Sequence, residues 1–117
     1  MNNAFSQWMP AAAEFEGCLA CGVRFPDQTV ITHTTLEDLE PATIEIALRG
    51  LADTFQVLDV HRIPTARFRW VYQQGYVHCV QRPDNILLGV FTSRTDLDTV
   101  ALENFINGFL SMRESGA

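Results

Sequence analysis

Two cysteines three residues apart, Cys18 and Cys21, are the first place where this sequence could do chemistry. A C-x-x-C spacing serves thiol exchange or metal ligation. A redox pair sits where a helix begins, so that the helix dipole lowers the pKa of one thiol. Here the motif falls in CLACGVRF (18–25), a nearly continuous apolar run that reads as a strand. Side chains three apart on a strand point to opposite faces, so the two sulfurs are not expected to share a metal or a disulfide. With Cys79 they read as small buried hydrophobes. No second C-x-x-C completes a four-ligand set. His33, His61 and His78 fall on a strand end, a loop and a strand, without ligand spacing, and His78 and Cys79 face opposite ways as strand neighbours. Ser93 and Ser111 lack a glycine-framed nucleophile elbow. GxxxxGK[ST] and GxGxxG loops are both absent, so the chain does not read as a nucleotide-binding protein. The expectation is a protein that is not an enzyme and carries no metal or cofactor.

Recognition is the better prospect, and its residues are aromatic and small. In ARFRWVY (66–72), Ala66, Phe68, Trp70 and Tyr72 point one way and Arg67, Arg69 and Val71 the other. The aromatic row is either core beneath a helix or an edge-strand interface, where aromatics are enriched. The arginines suit an edge, because charge blunts unwanted strand pairing.

The element that must position this row is LEPATIEIALRGLADTFQVL (39–58), a helix with two apolar faces. Ile44, Leu48, Leu51, Phe55 and Leu58 form one stripe, flanked by Ala52. Leu39, Thr43, Ile46, Ala47, Gly50, Thr54 and Val57 form a second. Glu45, Arg49, Asp53 and Gln56 make a charged side suited to water. One stripe suffices to dock the helix on its own sheet; the second, rich in small residues, calls for a close helix partner. Asp38 is the expected N-cap, with Glu40 and Pro41 in the first turn, and Pro64 ends the helix. The acidic group Glu37, Asp38 and Glu40 reads as charge at a helix start.

The remaining elements follow from turn chemistry and alternation. Residues 2–15 form a short leading helix, with Phe5, Trp8 and Met9 on one face and Pro10 within it. The segment 18–33 is a hairpin turning at Phe25-Pro26-Asp27-Gln28. YVHCVQ (76–81) and ILLGVF (86–91) follow the aromatic strand, with turns at Gln73-Gln74-Gly75 and Arg82-Pro83-Asp84-Asn85. Strands 18–23 and 86–91 are apolar on both faces and belong in the centre of a sheet, whereas 29–33 and 66–72 read as edges. A closing helix carries Leu102, Phe105, Ile106, Phe109 and Leu110 on one face, capped by Thr95 or Asp96 with Asp98 in its first turn; 114–117 is a frayed end. The order α-β-β-α-β-β-β-α makes an α+β helix–sheet–helix sandwich.

Bulk properties bound the class. The 117 residues form one domain, 1–117, and 47% hydrophobic against 19% charged residues describes a compact chain. A net charge of −6 argues against nucleic acid and anionic membrane surfaces as partners. No run approaches the roughly 18 apolar residues of a membrane span. The start, MNNAFSQWMPAAAEFEG, has no secretory signal pattern, and three cysteines without framework spacing suit a reducing cytoplasm.

Two stretches carry a family likeness: EGCLACGVRFPDQTVITH, where a Gly opens a strand–turn–strand, and PDNILLGVFTSRTDLDTVALE, an apolar strand feeding a final amphipathic helix through a polar loop. With the element order they resemble the roadblock (dynein light chain) domain family across about residues 3–112. The joint HRIPTA (61–66) and Pro10 depart from its pattern. The resemblance implies a five-stranded antiparallel sheet in order 2-1-5-4-3, with the long helix on one face and the terminal helices on the other. It also implies a homodimer formed by the long helix and the third strand, with Thr43, Ile46, Ala47, Gly50, Thr54, Val57, Phe68, Trp70 and Tyr72 at the interface. The implied role is to bind or regulate a small Ras-like GTPase, or to serve as a scaffold subunit. The alternative is a small-ligand sensory domain of profilin- or PAS-like type, which requires a pocket between sheet and helix lined by convergent polar groups.

Overall fold

The computed structural model of the chain describes residues 3–36, 39–73 and 75–112. Along them run α1 (Asn3–Ala12), β1 (Cys18–Arg24), β2 (Val30–Thr34), α2 (Pro41–Val60), β3 (Arg67–Tyr72), β4 (Gly75–Gln81), β5 (Leu87–Ser93) and α3 (Thr99–Ser111). The five strands form one antiparallel sheet in the order β2-β1-β5-β4-β3. This is the expected α+β sandwich, with β1 and β5 inside and β2 and β3 at the edges.

Strand alternation divides the apolar side chains between two layers. On one face, Ile44, Leu48, Leu51 and Phe55 of α2 pack on Ala20, Val77, Cys79, Leu87 and Phe91. On the other, Phe5 and Met9 of α1 and Leu102, Phe105, Ile106 and Phe109 of α3 cover Cys21, Val23, Val80, Leu88 and Val90. Trp8 stacks on Phe105 at 4.7 Å between ring centroids, joining the two terminal helices. Arg82, in the turn between β4 and β5, fastens this layer: its Nη1 donates to the Phe109 carbonyl at 2.8 Å and its Nη2 pairs with Asp84 at 2.7 Å. A cation at a helix C-terminus meets carbonyls that lack an intrahelical partner.

How closely α2 approaches the sheet depends on two glycines. Gly22 of β1 and Gly89 of β5 are register partners. A Cβ on either would stand 2.7 Å from a Leu48 methyl, Cδ1 from Gly22 and Cδ2 from Gly89. Leu48 therefore fills the space that two absent side chains leave. Gly17 opens β1 as expected, at φ +92, where a Cβ would lie 2.5 Å from the Leu97 Cα.

Three local expectations are corrected. Cys18 pairs with Thr92 but Ala20 pairs with Phe91, so β1 carries a bulge at Leu19. The extra residue turns Leu19 and Ala20 toward the α2 layer and puts Cys18 on the same side as Cys21; the two do not face apart. The N-cap of α3 is Asp98, whose carboxylate accepts from the Ala101 N–H at 3.0 Å, rather than Thr95 or Asp96. The N-cap position of α2 is Glu40, with no side-chain cap bond, followed by Pro41 at the first helical position. Asp38, the expected cap, lies outside the described residues, as do Glu37, Gln74 and the tail 114–117. At its other end α2 closes where Arg62 takes a left-handed φ of 58° and the Ile63 N–H reaches the Leu58 carbonyl at 2.8 Å. Pro64 follows directly.

Candidate functional site

The outward side of α2 and the free edge of β3 hold the residues expected to form an interface. Ile44, Leu48, Leu51 and Phe55 use up the inward side of α2, so the second stripe is left facing out. Thr43 and Ile46 are exposed, Ala47, Gly50 and Thr54 half-buried, and Val57 exposed. Gly50 marks the open centre of this face: a Cβ built there meets no atom within 4 Å. The Thr54 hydroxyl donates to the Gly50 carbonyl at 3.0 Å, which satisfies it within the helix and leaves no unpaired polar group at that point. Large apolar side chains flank the small ones, with Ile46 at 66%, Val57 at 56% and Val60 at 71% exposure.

The aromatic row of β3 divides between the two roles considered for it. Phe68 is half-buried against Phe55 of α2, with centroids 4.8 Å apart, and Tyr72 packs edge-on to Phe91 at 6.1 Å. Trp70 sits between them and is 45% exposed. Two of the row are therefore rim of the α2 layer and one is surface. All three lie on the α2 side of the sheet: Phe68 and Tyr72 pack on that layer, and Trp70 alternates with them opposite Val77, which belongs to it. Being last in the strand order, β3 has one side unpaired among the described residues.

On the opposite side of the sheet, at the same edge, a cleft of about 480 Å3 opens between β3, β4 and the start of α3. Register sets its chemistry. Arg69 pairs with His78 and Val71 with Tyr76, so the outer side chains of β3 meet the polar ones of β4. The Arg69 guanidinium lies over the Tyr76 ring at 4.3 Å, and that of Arg94 approaches the same ring at 6.0 Å. Arg94 is tethered by donating to the Tyr72 carbonyl at 2.9 Å. Arg67 and Glu103 form a two-pronged ion pair, one of whose bonds is 2.9 Å, tying β3 to α3. It lowers the Glu103 carboxyl pKa, first through the hydrogen bond itself. His78 is buried and shares a 3.1 Å hydrogen bond with the buried Thr92 hydroxyl. Burial first, and then the charges of Arg67 and Arg69, push its pKa down to about 4, so it is neutral at physiological pH. In sequence, Arg67 and Arg69 read only as guards of an edge and Arg94 as a loop residue. The usable signal is the β3–β4 pairing, which puts Arg69 beside Tyr76 and His78.

The cysteines offer no activated thiol. Burial raises the pKa of Cys18 to about 11 and drives those of Cys21 and Cys79 higher still. All three are free thiols. Among the described residues, no three His, Cys, Asp or Glu side chains gather as metal ligands would. No described helix is long and apolar enough to cross a membrane.

Neither a family model nor a curated protein sequence matches the chain. Its shape does find a match. A crystal structure of a Roadblock/LC7 domain from Streptomyces avermitilis superposes with a TM-score of 0.64 over 87% of this chain and 91% of that one, at 11% sequence identity. At that identity the likeness speaks for the fold. The strand order 2-1-5-4-3, the split of three helices over two faces and this superposition together make the chain a roadblock-like domain in fold.

Proposed function

We propose that the chain is a non-enzymatic, homodimeric interaction domain that works as a scaffold or regulator for a partner protein, a small Ras-like GTPase in the cytoplasm. The outward face of α2 is the observation that supports this reading. It is a line of small residues, Thr43, Ala47, Gly50 and Thr54, with open space over Gly50. Exposed Ile46 and Val57 bracket it, and exposed Trp70 stands on the neighbouring edge strand. A two-fold partner sets one patch against itself, and small residues let two helix backbones cross closely. Extending the sheet through β3 would satisfy an edge left unpaired among the described residues.

In this arrangement the paired α2 helices and the joined sheets make a platform on which a GTPase docks. Any effect on nucleotide hydrolysis would come from reshaping the GTPase's own site. The function thereby rests on surfaces rather than on a reacting group, in keeping with the raised pKa of every cysteine.

Gly50→Leu tests the dimer. Since a side chain at Gly50 meets open space within the chain, the variant keeps its fold, and helix propensity alone favours it by about 0.5–1 kcal/mol. Light scattering coupled to size exclusion is expected to show a dimer for the parent and a monomer for Gly50→Leu, with unchanged circular dichroism. A parent that elutes as a monomer at high concentration sinks the proposal. Affinity capture from the native cell with the parent, and with Gly50→Leu as control, then asks whether a small GTPase co-purifies.

A further inference from the structure

The cleft between β3, β4 and α3 is a place of concentrated positive charge on an acidic protein. The chain has a net charge of −6 and eight basic residues, all of them arginine. Three of the eight, Arg67, Arg69 and Arg94, line this one cleft, against a single lining carboxylate, Glu103. The nearby acids of the loop are engaged elsewhere: the Asp98 carboxylate caps α3, and that of Asp96 accepts from the Thr95 hydroxyl at 3.4 Å. Glu103 is committed to Arg67. Among the described residues, neither Arg69 nor Arg94 has a carboxylate partner.

Two guanidinium groups without counter-charge are thus held toward one aromatic ring, at 4.3 and 6.0 Å from its centroid. Neither hangs freely in solvent: Arg94 is anchored on the Tyr72 carbonyl and Arg69 is laid on Tyr76. An oxyanion would supply the counter-charge that both lack, and the planar guanidinium fork is suited to carboxylate and phosphoryl oxygens. The rest of the lining matches the pattern of a small-molecule site, apolar walls with a few convergent polar groups. Leu97 and Leu102 supply apolar surface, and the neutral His78 sits in the same lining. The volume of about 480 Å3 lies within the range of ligand pockets.

We propose that this cleft binds a small organic anion, its carboxylate or phosphoryl group gripped by Arg69 and Arg94 beside Tyr76 and its apolar part resting on Leu97 and Leu102. Arg67 and Glu103 act as positioning residues, because their ion pair fixes the distance between β3 and α3 that forms the walls. The site is on the face of the sheet opposite α2, so it adds a ligand to the interaction role and stands whether or not two copies pair.

The test uses the full chain with three probes: phenyl phosphate, benzoate and inorganic phosphate, followed by amide chemical shifts in two-dimensional NMR. The expected result is saturable binding of phenyl phosphate or benzoate, with the largest shifts at Arg69, Tyr76, His78 and Arg94. Inorganic phosphate, which lacks the apolar part, binds more weakly. Arg69→Gln removes one charge-assisted contact and weakens the aromatic anions by about tenfold or more. Arg69 is exposed, so this variant keeps its fold; Arg94→Gln gives a second reading with the thermal midpoint as control. Equal, non-saturating responses to all three probes, or shifts centred on Arg24, Arg49 or Arg82, overturn the proposal. So does saturable binding of octaglutamate alone, which would make the cleft a seat for an acidic segment of a partner protein. Light scattering on the same samples records whether the chain is dimeric, so the two proposals fail separately.

Discussion

At the scale of single residues, the tightest constraint is the pair of glycines beneath Leu48. Both Leu48 methyls lie 2.7 Å from where a Cβ on Gly22 or Gly89 would stand. Any side chain there must displace a buried Leu48 methyl. Gly89→Ala is therefore expected to destabilise the protein by about 1–3 kcal/mol, the usual cost of overpacking. Adding Leu48→Val, which shortens the branch that meets the new methyl, should recover part of that loss. Urea unfolding of the two single variants and the double closes the cycle; strict additivity would mean that the methyl and Leu48 do not meet. The glycine pair is present in the sequence but silent there, since Gly22 and Gly89 are 67 positions apart and become neighbours only through the β1–β5 register. The same holds for the cysteines. Alternation puts Cys18 and Cys21 on opposite faces, and only the bulge at Leu19 reverses that. A bulge is one extra residue accommodated by the partner strand, and β1 alone carries no sign of it.

At the scale of elements, periodicity was sufficient for what it encodes. The apolar-both-sides strands are interior, the polar strands are edges, and the inward stripe of α2 is Ile44, Leu48, Leu51 and Phe55. Element ends were less legible, because several residues in a row can cap and the choice depends on where the chain enters the helix. TSRTDLD offers Ser, Thr and Asp at five positions. The Asp98 N–H donates to the Glu16 carbonyl at 2.9 Å and the Ser93 N–H to the Gly17 carbonyl at 2.8 Å, so the loop is stitched to the segment before β1. That stitching leaves Asp98 as the last extended residue, with its carboxylate on the Ala101 N–H. Asp98→Ala is expected to cost about 0.5–2 kcal/mol, and Asp96→Ala a few tenths at most. Thermal melts of the two variants distinguish them; equal shifts would return the cap to the earlier residues. The outward face of α2 was legible as a second stripe. The Arg69–Tyr76–Arg94 cleft was not, because its parts come from β3, β4 and the loop before α3 and are assembled by strand pairing.

At the scale of the whole molecule, the sheet is the wall between two apolar layers, and its interior strands are buried on both faces. β5 shows this in successive residues: Leu87 and Phe91 belong to the α2 layer, Leu88 and Val90 to the α1–α3 layer. A strand that loses its cover on one side exposes apolar surface there and also slackens the side chains it presents to the other. The layers should therefore unfold together. The protein carries its own reporters, since its two tryptophans lie on different faces. Trp8 stacks on Phe105 in the α1–α3 layer, and Trp70 stands beside Phe68 on the α2 side. Leu51→Ala removes a buried side chain from the α2 layer alone and is expected to cost about 2–5 kcal/mol, as cavity-forming core truncations do. If the sheet couples the layers, denaturation followed by Trp8 fluorescence in a Trp70→Phe background shifts as far as that followed by Trp70 in a Trp8→Phe background, each against its own parent. Since the Trp70 signal would also sense the proposed pairing through β3, the comparison is made in the Gly50→Leu background, where the proposed dimer is expected to be absent. A midpoint that moves for Trp70 and stays for Trp8 would mean that each helical layer holds its side of the sheet alone, and that the sandwich is two cooperative units sharing a wall.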